Sequence, residues 1–195
     1  MQILCVSGSP RSEGNTDYLL QALITEVGGK FIRLADYHIA HCKACWKCRR
    51  SDGCAIDDDM TAKIMPWLLQ SDAVVLGSPV FFNNVTADMK AFMDRTWCLR
   101  GKLRNKIGGC IVVGRRYGAE NAITAMNGFF LKHEMIPANR GVTGLAFVKG
   151  EIARDEEAIR STQKLAKRIR ELVFSTSREE VPAEDPSDPF FKQRE

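Results

Sequence analysis

No apolar run in the 195-residue sequence approaches the roughly 18 residues of a membrane span, which excludes a transmembrane helix. The opening residues, Met1–Pro10, lack the basic n-region of a secretory leader, so the expectation is a cytoplasmic protein. An excess of one charge sign is also missing. The 28 basic and 24 acidic residues leave a formal +4 and a pI near 8.7, and so mild a balance without a clustered basic face argues against a nucleic-acid partner. Neither a Walker A loop nor a G-x-G-x-x-G fingerprint is present, and no segment repeats. Hydrophobic residues at 45% and charged residues at 27% exclude a mostly disordered chain.

What is present alternates. Apolar runs at Gln2–Val6, Phe31–Leu34, Ala73–Gly77, Lys106–Gly114 and Gly141–Val148 read as strands. Helical spacing follows each of them, over Asn15–Val27, Met60–Gln70, Thr86–Leu99, Ala119–His133 and Glu151–Phe174. Pro66 would kink the second of these helices. Strands that are apolar throughout suit a parallel sheet covered on both faces. The expected fold is therefore α/β: a flavodoxin-like, doubly wound, five-stranded parallel sheet with a cysteine-rich loop insertion at residues 36–59. One domain would occupy residues 1–174. Residues 175–195, with three of the seven prolines, six acidic and three basic residues, would form a flexible tail or an arm on a neighbouring subunit.

In such sheets a ligand sits outside the carboxyl ends of the strands, so the loops there carry the argument. Ser7–Thr16 is rich in small residues that let the backbone approach an anion. It offers the hydroxyls of Ser9, Ser12 and Thr16, the charge of Arg11, and the N-terminus of the first helix, beginning at Asn15. After the third strand come Pro79, Val80, Phe81, Phe82, Asn83 and Asn84, whose apolar side chains must cover core, a partner or a planar ligand. Gly114, Arg115, Arg116, Tyr117 and Gly118 end the fourth strand. Two such loops beside a phosphate loop suit a flat aromatic cofactor with a phosphate tail, a description that flavin mononucleotide (FMN) meets.

Seven cysteines are the compositional oddity, and four fall within thirteen residues: Cys42, Cys45, Cys48 and Cys54, spaced C-x2-C-x2-C-x5-C. An odd number with no export signal argues against disulfides and toward metal or redox chemistry. Structural zinc usually takes two separated C-x2-C knuckles, whereas three cysteines at three-residue steps suit the wrapping of a cubane. The reading favours a 4Fe-4S cluster, with zinc and a metal-free loop as the alternatives. Lys43, Lys47, Arg49 and Arg50 among the ligands would offset cluster charge, dock an acidic electron carrier, or serve only as solvated loop charges. Cys5, Cys98 and Cys110 are expected to be core thiols, and His38 and His41 ordinary loop residues.

These residues together resemble a known family. Gly8-Ser9-Pro10-Arg11 with Gly14-Asn15-Thr16, the Cys42–Cys54 motif followed by Ile56-Asp57-Asp58, Ser78–Phe82 and the Gly114-Arg115 loop are similar to those of the iron–sulfur flavoproteins. These form a branch of the NADPH-dependent FMN reductases. The likeness covers about residues 2–172. It implies FMN phosphate at Ser9, Arg11, Ser12, Asn15 and Thr16, with the ring against Pro79–Asn84 and Gly114–Gly118. It also implies a 4Fe-4S cluster on Cys42, Cys45, Cys48 and Cys54, and homodimers or homotetramers that bring the two cofactors together across subunits.

A flavin exchanges electrons singly or in pairs and a cubane exchanges them one at a time, so the pair would convert between two kinds of redox partner. The expected function is electron transfer between FMN, the cluster and a carrier such as ferredoxin. The alternative is an NAD(P)H-dependent FMN or quinone reductase without a functional cluster. A non-catalytic zinc-knuckle docking module has no use for the phosphate loop. No side chain in the loops stands out as a required acid or base. Without the tail's three excess negative charges, residues 1–174 carry +7, a counter-charge suited to two anionic cofactors.

Overall fold

Residues along the first strand alternate between two apolar layers, and this decides the architecture. In the computed structural model, which describes residues 1–51 and 53–176, β1 (Ile3–Ser7) sends Leu4 and Val6 to one face and Ile3 and Cys5 to the other. The same alternation recurs in β3 (Ala73–Pro79) and β4 (Ile107–Gly114), each buried from end to end except for its last residue. A strand apolar on both sides needs helices on both sides. On one face α1 (Asn15–Val27) contributes Leu19, Leu20 and Leu23, and α5 (Glu156–Thr176) contributes Leu165 and Ile169. The other face is covered by α2 (Met65–Gln70), α3 (Ala87–Arg95) and α4 (Ala119–Lys132), through Leu68, Phe92, Met126 and Phe130.

All strand pairs are parallel, in the order β2 (Lys30–Arg33), β1, β3, β4. Two short strands share the fifth position. β5 (Ile136–Pro137) pairs with Ile107–Gly108 of β4, and β6 (Val142–Leu145) with Ile111–Gly114 further along the same edge. The single strand expected over Gly141–Val148 is thus shorter, and it is preceded by a fragment that the pattern does not reveal. Pro137 lacks an N–H and Gly141 has φ 124°, so the chain leaves the ladder between them.

Three expected helices are subdivided. Thr86 is the N-cap of α3, its hydroxyl accepting from Met89 N, and a 3₁₀ turn (Thr96–Leu99) follows the helix. Met60–Ile64 is a π-helical turn closed by Met65 N–H donating to Met60 O. Pro66 therefore falls in the first turn of α2, where the helical run widened by the π turn continues without a break and a missing N–H is tolerated. Before this turn the Asp58 carboxylate accepts from Met60 N and Thr61 N, capping it as its position suggests. A 3₁₀ turn at Glu151–Arg154 precedes α5, which runs to Thr176. Residues 177–195, most of the expected tail, lie outside the described residues.

Candidate functional site

Parallel strands place the loops after β1, β3, β4 and β6 on one edge of the sheet, and hydrogen bonds join them there. Gly8 N donates to Gly77 O at 2.7 Å, Val80 N to Val113 O at 2.9 Å and Ala146 N to Gly114 O at 3.1 Å. Thr86 binds the first loop to α3, its hydroxyl donating to Gly8 O at 2.8 Å. Glycine at position 8 permits this approach, because a Cβ there would lie 2.8 Å from Thr86 Oγ1 and 2.9 Å from Met89 Cβ.

Within the phosphate-type loop Ser9 is buried, while Arg11 and Ser12 are exposed. Ser9 Oγ accepts from Arg11 N and donates to Arg11 O, both at 3.2 Å, which curls the loop tightly. The first N–H groups of α1 have no intrahelical partner and, with Arg11, form an anion-attracting end. One of the expected phosphate contacts, the Asn15 side chain, is otherwise engaged. Asn15 Nδ2 donates to Val148 O and its Oδ1 accepts from Gly150 N, both at 2.8 Å, so its side chain ties the β6 loop to this one. Thr16 is buried, with its methyl group beneath Gly77. Asp17, which sequence reasoning passed over, organises the loop from below. Its carboxylate accepts from Ser7 Oγ at 2.5 Å and Gly14 N at 3.3 Å. Burial raises its pKa, more than the Ser7 and Gly14 bonds lower it.

The loop after β3 closes as a two-residue turn, with paired 2.9 Å bonds between Phe81 and Asn84. Phe82 and Asn83 both have left-handed backbone, at φ 46° and 59°. That is a type I′ geometry, which favours Asn and Gly. Phe82 is fully exposed at its tip, with Phe81 half exposed beside it and Tyr117 exposed on the neighbouring loop. The two aromatic loops meet where Gly118, at φ 79°, lies against Asn83. A Cβ on Gly118 would come within 2.3 Å of Asn83 Cα. On the β6 side of this junction a cavity of about 510 Å³ is lined by Gly114, Arg116, Tyr117 and Gly118, along with Thr143 and Leu145. Arg115, Ser9–Thr16 and Pro79–Asn84 are not among its walls.

The four motif cysteines line one cavity of about 330 Å³, with apolar walls from Trp46, Ile56 and Trp97. Cys42 and Cys45 are exposed; Cys48 and Cys54 are half-buried. Among the described residues no three Cys, His, Asp or Glu side chains stand close enough together to hold one metal ion. The thiols surround a volume, not a point. A soft all-sulfur donor set suits iron–sulfur or zinc chemistry and not a hard cation. His38 and His41 are both exposed and form none of the cavity wall.

Asp94, Arg95, Trp97 and Cys98 enter this site from the end of α3 and the turn after it. Cys98 is buried as a core thiol should be, its Sγ 3.6 Å from Met65 Sδ, yet it also forms part of the cavity wall. Burial pushes its thiol up to about 11. Trp97 packs edge-on against Trp46 at 6.3 Å. Arg95 is completely buried and grips Asp58 through Nη1–Oδ2 at 2.6 Å and Nη2–Oδ1 at 3.0 Å. Burial alone would raise the pKa of Asp58, but the Arg95 guanidinium and the Ala40 N–H bring it down to about 2. Arg95 has a sequence signal: it stands three residues after Phe92 and four before Leu99, a charge on an apolar stripe.

A doubly wound parallel sheet with an anion-attracting first loop and an aromatic rim defines a flavodoxin-like protein. The chain matches the family model for NADPH-dependent FMN reductase over residues 1–149. It is 35% identical over 189 residues to an iron-sulfur flavoprotein of Methanocaldococcus jannaschii, an alignment covering 89% of this chain and 97% of that one. An iron-sulfur flavoprotein of Archaeoglobus fulgidus is 32% identical over 198 residues, covering 90% and 97%. Among solved structures, RosB with a bound intermediate superposes with a TM-score of 0.76 at 14% identity, covering 98% of this chain and 85% of that one. The Trp repressor binding protein from Bacillus subtilis gives 0.66 at 21% identity, covering 84% and 96%. The chain belongs to the NADPH-dependent FMN reductase family and, within it, to the iron-sulfur flavoproteins. It is thereby an FMN-dependent oxidoreductase by family. No described helix is long and apolar enough to cross a membrane.

Proposed function

We propose that this protein passes electrons between FMN on the rim, a 4Fe-4S cluster on Cys42, Cys45, Cys48 and Cys54, and a redox partner such as reduced ferredoxin. The observation that carries this reading is the convergence of all four cysteines on one apolar-walled cavity. When bound, the flavin supplies one- or two-electron exchange and the cluster one-electron exchange. The chain's own part is positioning. Ser9, Arg11, Ser12, Thr16 and the α1 N-terminus, Asn15 included, would hold the phosphate, with the Asn15 side chain also bracing the loop. Pro79–Asn84 and Gly114–Gly118 bracket the ring and exclude water from it. Lys43, Lys47 and Arg50 present positive charge to an acidic carrier.

Thr86 at the rim and Arg95 at the cysteine cavity stand at opposite ends of α3, about 13 Å apart along its axis at 1.5 Å per residue. The exposed cysteine loop could approach the rim of another subunit in a homodimer or homotetramer, the assembly that goes with this reading. The exposure of Cys42 and Cys45 favours the second reading, an NAD(P)H-dependent FMN or quinone reductase without a working cluster.

Oxygen-free purification followed by a visible spectrum and assays of iron, acid-labile sulfide, zinc and released flavin tests both. About four irons per chain together with flavin is the expected result. Flavin without iron leaves only the reductase reading, and zinc without flavin defeats both. Cys45→Ala should abolish the iron signal and leave flavin bound, because the two sites use different loops.

A further inference from the structure

The cysteine loop hangs from the sheet by two stems, which His38 and Asp59 join at their base, and closer to the cysteines the buried side chain of Arg95 touches both. Arg95 Nη1 donates to Ala40 O at 2.7 Å, two residues before Cys42. Its Nη2 donates to Ile56 O at 3.3 Å, two residues after Cys54, and both nitrogens bind Asp58. Asp58 returns to the first stem by accepting from Ala40 N at 2.9 Å. Arg95 and Asp58 thus draw together the ends of a segment whose interior is mostly exposed and has little regular structure. One donor remains. Arg95 Nε is buried and has no hydrogen-bond partner among the described residues. The side chain that carries it lines the cavity of the four cysteines, and the Cys54 thiol both attracts the guanidinium and lies within loose hydrogen-bonding reach of it.

We propose that Arg95 is the positioning residue of the cysteine site: with Asp58 it pins the two stems of the loop, and its free Nε–H donates to sulfur in the cavity. A buried N–H left without a partner carries a desolvation penalty, which a sulfur of an anionic thiolate-bound group would relieve. A positive donor beside such a group stabilises its more negative, reduced form and so raises its reduction potential. The second half of the proposal rests on the cluster reading above; the first half stands on the apoprotein alone.

Two variants test it. Arg95→Lys keeps a charge for Asp58 but has no planar fork to span both stems and no Nε–H. Arg95→Gln combined with Asp58→Asn removes both charges together, which avoids leaving one buried alone. In the apoprotein, trypsin cleavage at Lys43 and Lys47 should accelerate at least tenfold in both variants, while the circular dichroism melt shows the sheet intact. After reconstitution with iron and sulfide, spectroelectrochemical titration should show a lower potential in both. A tenfold shift of the one-electron equilibrium, 59 mV, is the expected scale. Unchanged cleavage and unchanged potential in Arg95→Lys would overturn the proposal and leave Arg95 as an ordinary buried ion pair. Wild-type protein that takes up no iron would overturn the sulfur contact along with the cluster reading. Wild type and variants that load equally at one potential would overturn the sulfur contact alone.

Discussion

The rim and the cysteine loop are built on opposite principles. The rim consists of turns that the sheet itself places, each joined to its neighbours by backbone bonds such as Gly8–Gly77 and Val80–Val113. The cysteine loop leaves the edge strand β2 and is gathered at its stems by the buried pair of Arg95 on α3 and Asp58, next to hydrogen bonds between His38 and Asp59. A site made from strand ends inherits the stability of the core, whereas a loop gathered by a few side-chain contacts at its stems depends on those contacts. The same helix serves both, with Thr86 at its rim end and Arg95 at its cysteine end.

The largest expected effect breaks the comparison at its weak side. Arg95→Met leaves Asp58 charged and buried with its backbone hydrogen bonds but no counter-charge, which costs about 3 kcal/mol. Chemical denaturation should show this loss, and an unchanged urea midpoint would mean that the pair holds nothing. The next effect comes from pH. His133 lies under the cysteine end of α3, with Phe129 packed on its ring and Lys132 beside it. Thr96 donates its hydroxyl hydrogen to Met93 O at 2.7 Å, so it accepts from His133 Nε2–H at 2.8 Å, and the ring is neutral. Burial brings its pKa down to about 4, helped by the charge of Lys132. A histidine depressed in this way contributes stability fully present above pH 6.5 and lost as pH falls toward 4, roughly 3 kcal/mol in all. Acid should therefore loosen the cysteine end before the rim, seen as faster tryptic cleavage at Lys43 near pH 5 with flavin still bound. His133→Gln should flatten that pH dependence; a profile identical to wild type would place its origin elsewhere.

Gly118→Ala tests the strong side. Its new Cβ meets Asn83 in a left-handed conformation, at a cost of about 1–3 kcal/mol. The two aromatic loops must then part, so flavin affinity should fall while iron content holds. Equal loss of both cofactors would show that rim and cysteine loop are one cooperative unit.

Much of this was legible from residues alone. Apolar runs located β1, β3 and β4, and the Gly/Ser/Pro punctuation after them located the rim. The cysteine spacing singled out the loop, though not what closes its cavity. Trp97 and Cys98 come from more than forty residues downstream of Cys54, and no local periodicity reports a contact at that range. Arg95 stands as a charge on an apolar stripe, but nothing local marks Asp58, 37 residues upstream, as its partner. Asn15 looked like a phosphate ligand because its neighbours do, while its side chain instead braces Val148 and Gly150.

Phe82 has a bearing on durability. An aromatic residue at a left-handed turn tip, wholly in solvent, contributes no packing and sits in a conformation about 1 kcal/mol unfavourable for its shape. Phe82→Asn should therefore raise the melting temperature of the isolated chain. A lineage selected for heat resistance alone would discard that side chain early. Phe82 displays its ring at a cost in stability, and thermostabilising designs of this scaffold should leave residue 82 until last.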